Sequence, residues 1–453
     1  TFNIHAGVND DDIVQFMVKE HLLEYEEYVD DNENLFNINN EEGNSASISE
    51  NLSYRSLSLK DDKLIIVFFD EFNTCNSLGL LTEIMCYKRC RGINVKKNVV
   101  FVGACNPYRK KTKQSETSAL VKEGNKNTFQ KLVYAVNPLT YTQLYYLFNF
   151  GSLDSENEKK YITGIVEAEI PEYVKDQSKL NTIKELIIQS FTNAQSFIKE
   201  KNGKESVSMR ETRKFMSIYK FFIKDIEKKQ RLAKSFNAKT EKEKADSSNE
   251  FDYKPYLTLN ELLAQKYSIA AAIYICYYIR LSNNSDKIEF QEMMGNILEI
   301  EFIRYPNQFQ DELIQNIQLE KGIAANDSLR LNLFICFIGI MTRIAVFLVG
   351  PPGCSKTLCF NILKKEMKGN HSKVKYWQDY PQLIVTSYQG SLTSTSKGII
   401  DTFNDADKKL KDYINKDKKS TSENKSNDEG TTKQKIKKNG IIVCVFIDEI
   451  GLC

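Results

Sequence analysis

Two hydrophobic patterns alternate along this chain, short runs of consecutive apolar residues and longer stretches whose apolar positions recur every three or four residues. KLIIVFFDE (63–71), VVFVGACN ending at Asn106, KLVYAVNPL (131–139), IAVFLVG (344–350), LIVTSYQG (383–390) and GIIVCVFIDE (440–449) are rich in β-branched residues and predict strands. DDDIVQF, SLGLLTEIMCYKR, YTQLYYLFNF, IKELIIQSF, RKFMSIYKFF and the block at 259–281 have helical spacing. The apolar run from Leu331 to Val349 is long enough to raise a bilayer span, but it contains Asn332 and Arg343 and leads into a Pro-Gly turn. It predicts a buried helix followed by a core strand, and no transmembrane segment.

One pattern occurs twice. A strand ending at Gly7, a helix start and a polar tract lead to the strand closing in Asp70-Glu71. LIVTSYQG, the helix start STSKGIIDTF and another polar tract lead to the strand closing in Asp448-Glu449. Gly7 to Asp70 spans 63 residues and Gly390 to Asp448 spans 58, so the copies differ mainly in insertion length. Self-similarity on this scale predicts one supersecondary machine built twice in tandem. Three tracts, 30–50, 228–252 and 407–440, lack the apolar residues that offset ordering entropy and read as mobile surface insertions.

The expected fold class is α/β, with parallel sheets flanked by helices, a helical lid and a helical linker, in two incomplete tandem units. The expected domains are 1–139 (end of the first α/β core), 140–230 (its helical lid), 231–330 (linker and helical connector) and 331–453 (start of the second core). Charge adds little: 62 basic and 60 acidic residues leave +2, so no global field recommends nucleic acid as a partner. Ten cysteines without a CxxC pair, and only His5, His21 and His371, argue against a zinc site and for a reducing, cytosolic setting. A first residue within a strand and a last residue just past one suggest a piece of a longer protein.

The chemistry concentrates at 344–357, IAVFLVGPPGCSKT. An apolar strand, a turn made of Gly350, Pro351, Pro352, Gly353, Cys354 and Ser355, then Lys356, Thr357 and a helix resemble a P-loop. Such a loop points backbone N–H groups at phosphates and needs residues that let the backbone approach. Lys356 would neutralise the β- and γ-phosphates of ATP, and the Thr357 hydroxyl would ligate Mg²⁺. The position before the lysine, where the general pattern has glycine, is Ser355.

Asp70-Glu71 and Asp448-Glu449 end apolar strands at the edge where α/β proteins bind ligands. Asp70 and Asp448 are expected to help hold Mg²⁺, and Glu71 and Glu449 to orient the attacking water. Asn106 reads either as a γ-phosphate sensor on the adjoining strand or as an Asn-Pro turn. Arg210, one helical turn before Arg213, reads either as a second sensor on the lid or as a solvated helix-face arginine.

VFFDEFNTCNSLGLLTEIMC, VFVGACNPYR, LVYAVNPL, LFNFGSLD, FLVGPPGCSKT, SYQGSLTSTSKGIIDTF and VFIDEIGL resemble, in the same order, segments of the mysterin family of giant ubiquitin ligases with a dynein-like AAA+ ring. The resemblance implies the end of the third and the start of the fourth AAA unit. Lys356, Asp448 and Glu449 would serve the fourth unit and Glu71 the third. It also implies ATP-driven movement of neighbouring AAA units, ubiquitin-system partners bound through modules outside these residues, and association with lipid droplets. No arginine occurs between Lys110 and Met209, and Ala135 stands where mysterin-like units often carry one, so no arginine finger is named. With neither half complete, the isolated chain is expected to be nearly inactive. Two rivals remain: another single-chain AAA array, dynein or midasin in type, and a scaffold that binds ATP without hydrolysing it.

Overall fold

The computed structural model describes residues 1–24, 63–108, 136–151, 153–203, 206–237, 253–423 and 440–450. They fall into two compact units, Thr1–Ser152 and Leu153–Cys453. The expected insertion 30–50, the first half of the strand expected at 131–139, and Ala135 lie outside the described residues.

In the first unit, β1 (Phe2–Asn3), β2 (Ile65–Asp70) and β5 (Val99–Gly103) form a parallel sheet in the order β1-β2-β5. A small antiparallel hairpin, β3 (Arg89–Cys90) and β4 (Ile93–Asn94), stands apart from it. Helix α1 (Asp10–Lys19) starts with a capping box, because Asn9 accepts from the Asp12 N–H and Asp12 accepts from the Asn9 N–H, each at 3.0 Å. Its Ile13 and Met17 join Leu81 and Ile84 of α2 (Leu78–Tyr87) and Val67 and Phe69 of β2 in one core. The other sheet face behaves differently: Ile66, Val100 and Val102 are exposed, so β2 alternates in and out although its sequence reads as buried on both sides. Val136 to Leu139 form no strand, and the Asn137 N–H instead donates to the Asn73 carbonyl. Only α3 (Tyr141–Leu144) of the expected YTQLYYLFNF helix forms. The chain then leaves helical geometry, reaching φ 67° at Gly151, whose N–H is taken by the Asn149 side chain.

The second unit is mostly helical: α4 (Ser155–Glu169), α5 (Leu180–Asn202), α6 (Arg210–Asn237), α7 (Glu261–Cys276), α8 (Asn284–Leu298), α9 (Arg304–Gln315), α10 (Asp327–Thr342), α11 (Lys356–Glu366), the short α12 (Lys375–Gln378) and α13 (Ser396–Glu423). Between α12 and α13 comes β6 (Gln382–Gln389), which pairs in parallel with β7 (Ile441–Asp448) along all eight residues. A single apolar cluster joins Ile187, Phe222, Ile273, Phe309, Phe337 and Leu363 from six of these helices to Leu383 of β6. Among the described residues one segment, Glu261–Arg280, is long and apolar enough by length and composition to cross a bilayer, and most of its apolar stretch is buried inside this unit.

Two polar tracts read as insertions are partly helix. Residues 228–237 continue α6 because Lys229 turns inward onto Asp225 and Glu312, and 407–423 extend α13, where Lys411 pairs with Asp407 one turn back. The rest of both tracts lies outside the described residues, apart from Gly440. The strand expected at 344–349 does not form. This stretch has the period-2 burial of a strand, with Phe347 and Val349 each 72% exposed, yet it pairs with no strand among the described residues. Without a neighbour on the β7 side its backbone groups have no ladder to join.

Candidate functional site

The loop from Gly350 to Ser355 joins this unpaired stretch to α11, and its shape depends on residues without bulk. A Cβ at Gly350 would lie 2.7 Å from the Cys354 Sγ, and Gly353 has φ 82°. Ser355 has φ 61° and ψ 24°, left-handed although it is not glycine, at a cost of roughly 1–2 kcal/mol. Most helices place an extended, side-chain-capping residue at this point; Ser355 makes no side-chain cap. The N–H groups of Gly353, Cys354, Ser355, Lys356 and Thr357 accordingly donate to no acceptor among the described residues. They form the positive end of an 11-residue helix.

Lys356 folds back over its own loop. Its ammonium donates to the carbonyls of Gly350 at 2.7 Å and Pro351 at 2.9 Å, and lies 3.6 Å from the Cys354 Sγ. One residue further, the Thr357 hydroxyl donates to the Asp448 carboxylate, 3.2 Å from one oxygen and 3.4 Å from the other. Packing sets this meeting of residues distant in sequence. Phe360, three residues into α11 from Thr357, stacks on Phe446 of β7 with centroids 4.1 Å apart and planes 8° from parallel. Such a pair contributes about 0.5–1.5 kcal/mol beyond its area burial, and it fixes the helix against the end of the strand.

The acidic strand ends share a backbone device. Glu71 and Glu449, each directly after the strand aspartate, have φ 53° and 51°. The turn lets the Glu449 N–H donate to Asp448 Oδ1 at 3.0 Å, and in the first unit the Ile4 N–H reaches the Asp70 carbonyl at 3.2 Å, as the Gly390 N–H reaches that of Asp448 at 2.8 Å. Left-handed conformation at a non-glycine residue is a local cost that concentrates at functional sites.

Asn106 lies three residues beyond the end of β5, not within it, and its carbonyl accepts from the Asn73 side chain at 2.8 Å. Asn73, buried in the first unit, also orders the following loop through Asn137, whose amide donates to the Cys75 carbonyl at 2.8 Å. Nothing in the strand pattern singles these two asparagines out. Arg210 begins α6 and is exposed; its neighbour Glu211 is the one that is paired, with Arg280 at 2.7 Å. Arg210 and Arg213 lie in the second unit, and Asp70, Glu71 and Asn106 in the first. The structure therefore brings Lys356, Thr357, Asp448 and Glu449 to one edge within a single unit.

Comparison with known proteins bears on this edge. Residues 322–453, which contain the loop, α11, β6 and β7, match the family profile described as the RNF213 AAA domain. Over 388 residues, 77% of its length, the chain is 26% identical to the E3 ubiquitin-protein ligase rnf213-beta of Danio rerio. It is 26% identical over 361 residues to the E3 ubiquitin-protein ligase RNF213 of Mus musculus and 27% identical over 360 residues to that of Homo sapiens, 75% of the chain in each case.

Residues 322–453 thus resemble the RNF213 AAA domain, and about three quarters of the chain is similar to RNF213 ligases.

The chain spans only 7% of the Danio rerio and Mus musculus proteins and 6% of the Homo sapiens one. Its architecture is mixed α/β with small parallel sheets, and the stretch that matches the AAA-domain profile holds all four of the converging residues.

Proposed function

We propose that the loop Gly350–Thr357 binds ATP with Mg²⁺ and that Glu449 directs its hydrolysis. The Thr357–Asp448 contact carries the reading, because it joins the end of a glycine-containing loop to a carboxylate at the neighbouring strand edge, within one unit. Hydroxyl and carboxylate oxygens are the hard donors that Mg²⁺ prefers, and the ion usually keeps water and phosphate oxygens for its other positions. Thr357 and Asp448 would hold it; when bound, it neutralises charge developing on the phosphoryl oxygens. The free N–H groups of Gly353 to Thr357 receive the phosphates, and Lys356 exchanges the Gly350 and Pro351 carbonyls for phosphate oxygens. The Glu449 carboxylate orients and polarises the attacking water.

In the first unit, Asp70 and Glu71 would take the corresponding roles, with Asn106 as the polar sensor. The shared left-handed turns at Glu71 and Glu449 support a tandem arrangement of AAA units, the end of a third and the beginning of a fourth. Hydrolysis would shift neighbouring units of a larger cytosolic ring. In the intact protein, ubiquitin transfer would come from modules outside these residues, in keeping with the names of the relatives. The decisive variant is Lys356→Ala in the intact protein. It should abolish nucleotide binding at this site, measured by photo-crosslinking of 8-azido-ATP to the peptide carrying 344–366. Undiminished crosslinking there would refute the assignment.

A further inference from the structure

Asn332 interrupts the apolar face of α10, and it is half-buried beside the loop. Its side-chain Nδ2 donates to the Cys354 carbonyl at 2.9 Å. That carbonyl belongs to the peptide joining Cys354 to Ser355. The chain contains no cis peptide among the described residues, so the C=O and N–H of this peptide point in opposite directions. Drawing the carbonyl onto α10 therefore turns the Ser355 N–H away from α10, and that N–H has no acceptor among the described residues. The same peptide leads into the left-handed Ser355, a position that glycine would occupy without strain.

We infer that Asn332 is a positioning residue for the phosphate loop: its amide locks the Cys354–Ser355 peptide so that the Ser355 N–H faces the bound phosphate. The inference rests on the proposed nucleotide site. It explains why a helix whose buried positions include Leu329, Leu333, Phe334, Cys336 and Phe337 carries an amide at one place. It also supplies the constraint that holds a serine in a glycine's conformation. An unanchored peptide here is free to rotate, and a flipped one would present its carbonyl to the phosphates.

Asn332→Leu keeps the branched outline of the side chain at a somewhat larger volume and removes the donor, and at this half-buried place on an apolar helix it should leave the melting temperature unchanged or raised. Asn332→Asp keeps the shape and offers only acceptors. In the intact protein, both variants should weaken Mg-dependent binding of a fluorescent ATP analogue by about tenfold, the effect of losing one well-placed hydrogen bond. Wild-type affinity in Asn332→Leu or Asn332→Asp overturns the inference. So does a loss of affinity in Asn332→Leu matched by a fall in melting temperature, which marks a merely structural contact. Lys356→Ala separates the two levels: if the wild type shows no binding that this variant removes, the nucleotide site itself fails and the role of Asn332 falls with it. Lys356-dependent binding that is unaffected at Asn332 removes only the positioning role.

Discussion

Lys229 of α6 and Glu312 of α9 form an ion pair sealed from water, each side chain 2% exposed, and Asp225 closes the triad 2.8 Å from the same ammonium. The hydroxyl of Tyr256 donates to Glu312 at 2.6 Å and that of Tyr380 to Asp225 at 3.0 Å, so the two carboxylates are also hydrogen-bonded. Burial alone would push the Lys229 ammonium down, but Asp225 and Glu312 outweigh it and the net shift is upward.

Removing one member of such a buried group leaves uncompensated charge and costs about 3–5 kcal/mol, so Lys229→Met should unfold the helical part of this unit at markedly lower denaturant. The exposed Lys160–Glu156 pair is the contrast, and Lys160→Met should change stability by less than about 1 kcal/mol. Hydrogen exchange in α6 and α9 reads both. Because the folded ammonium is favoured, the stabilisation is complete below the ordinary lysine value of 10.5 and is lost only as pH climbs beyond it. A Lys229→Met variant with unchanged exchange protection would contradict this account of the triad.

Thiol chemistry gives a second check. Cys354 is half-exposed in the loop, 3.6 Å from the Lys356 ammonium, whereas Cys276 is buried and its thiol is pushed up to about 12, chiefly by desolvation. Iodoacetamide at neutral pH should label Cys354 in the native protein, leave Cys276 untouched until unfolding, and be blocked at Cys354 by Mg-ATP. Equal labelling of Cys354 with and without Mg-ATP would count against a phosphate in the loop.

Glu449→Gln separates hydrolysis from binding. Loss of a residue that activates water lowers the chemical step by about 10²–10⁴-fold, so single-turnover hydrolysis at this site should fall within that range while ATP affinity is retained. A variant that hydrolyses at the wild-type rate favours a scaffold that uses ATP as a structural ligand.

Much of the candidate site was legible in the sequence because local chemistry specifies it. Gly350, Gly353, Lys356 and Thr357 follow one another in a single loop, and the apolar run ending in Asp448 announces its own strand. What escaped depended on partners distant in the chain. Residues 228–237 read as a solvated tract because a lysine inside a helix core can be recognised only with Glu312 in view, 83 residues further on. The stretch 344–349 has a strand's alternation, but pairing is a property of neighbours and none adjoins it among the described residues. Asn332 was visible as a polar interruption, while its target, one carbonyl of the loop, was not.

The central claim is tested most directly by cryo-electron microscopy of the intact protein with Mg²⁺ and a slowly hydrolysed ATP analogue. The account predicts phosphate density within the Gly350–Thr357 loop, a metal between the Thr357 hydroxyl and Asp448, and the Lys356 ammonium moved from its loop carbonyls onto phosphate oxygens. A map in which Lys356 still holds the Gly350 and Pro351 carbonyls, and Thr357 still donates directly to Asp448, at saturating nucleotide would contradict it.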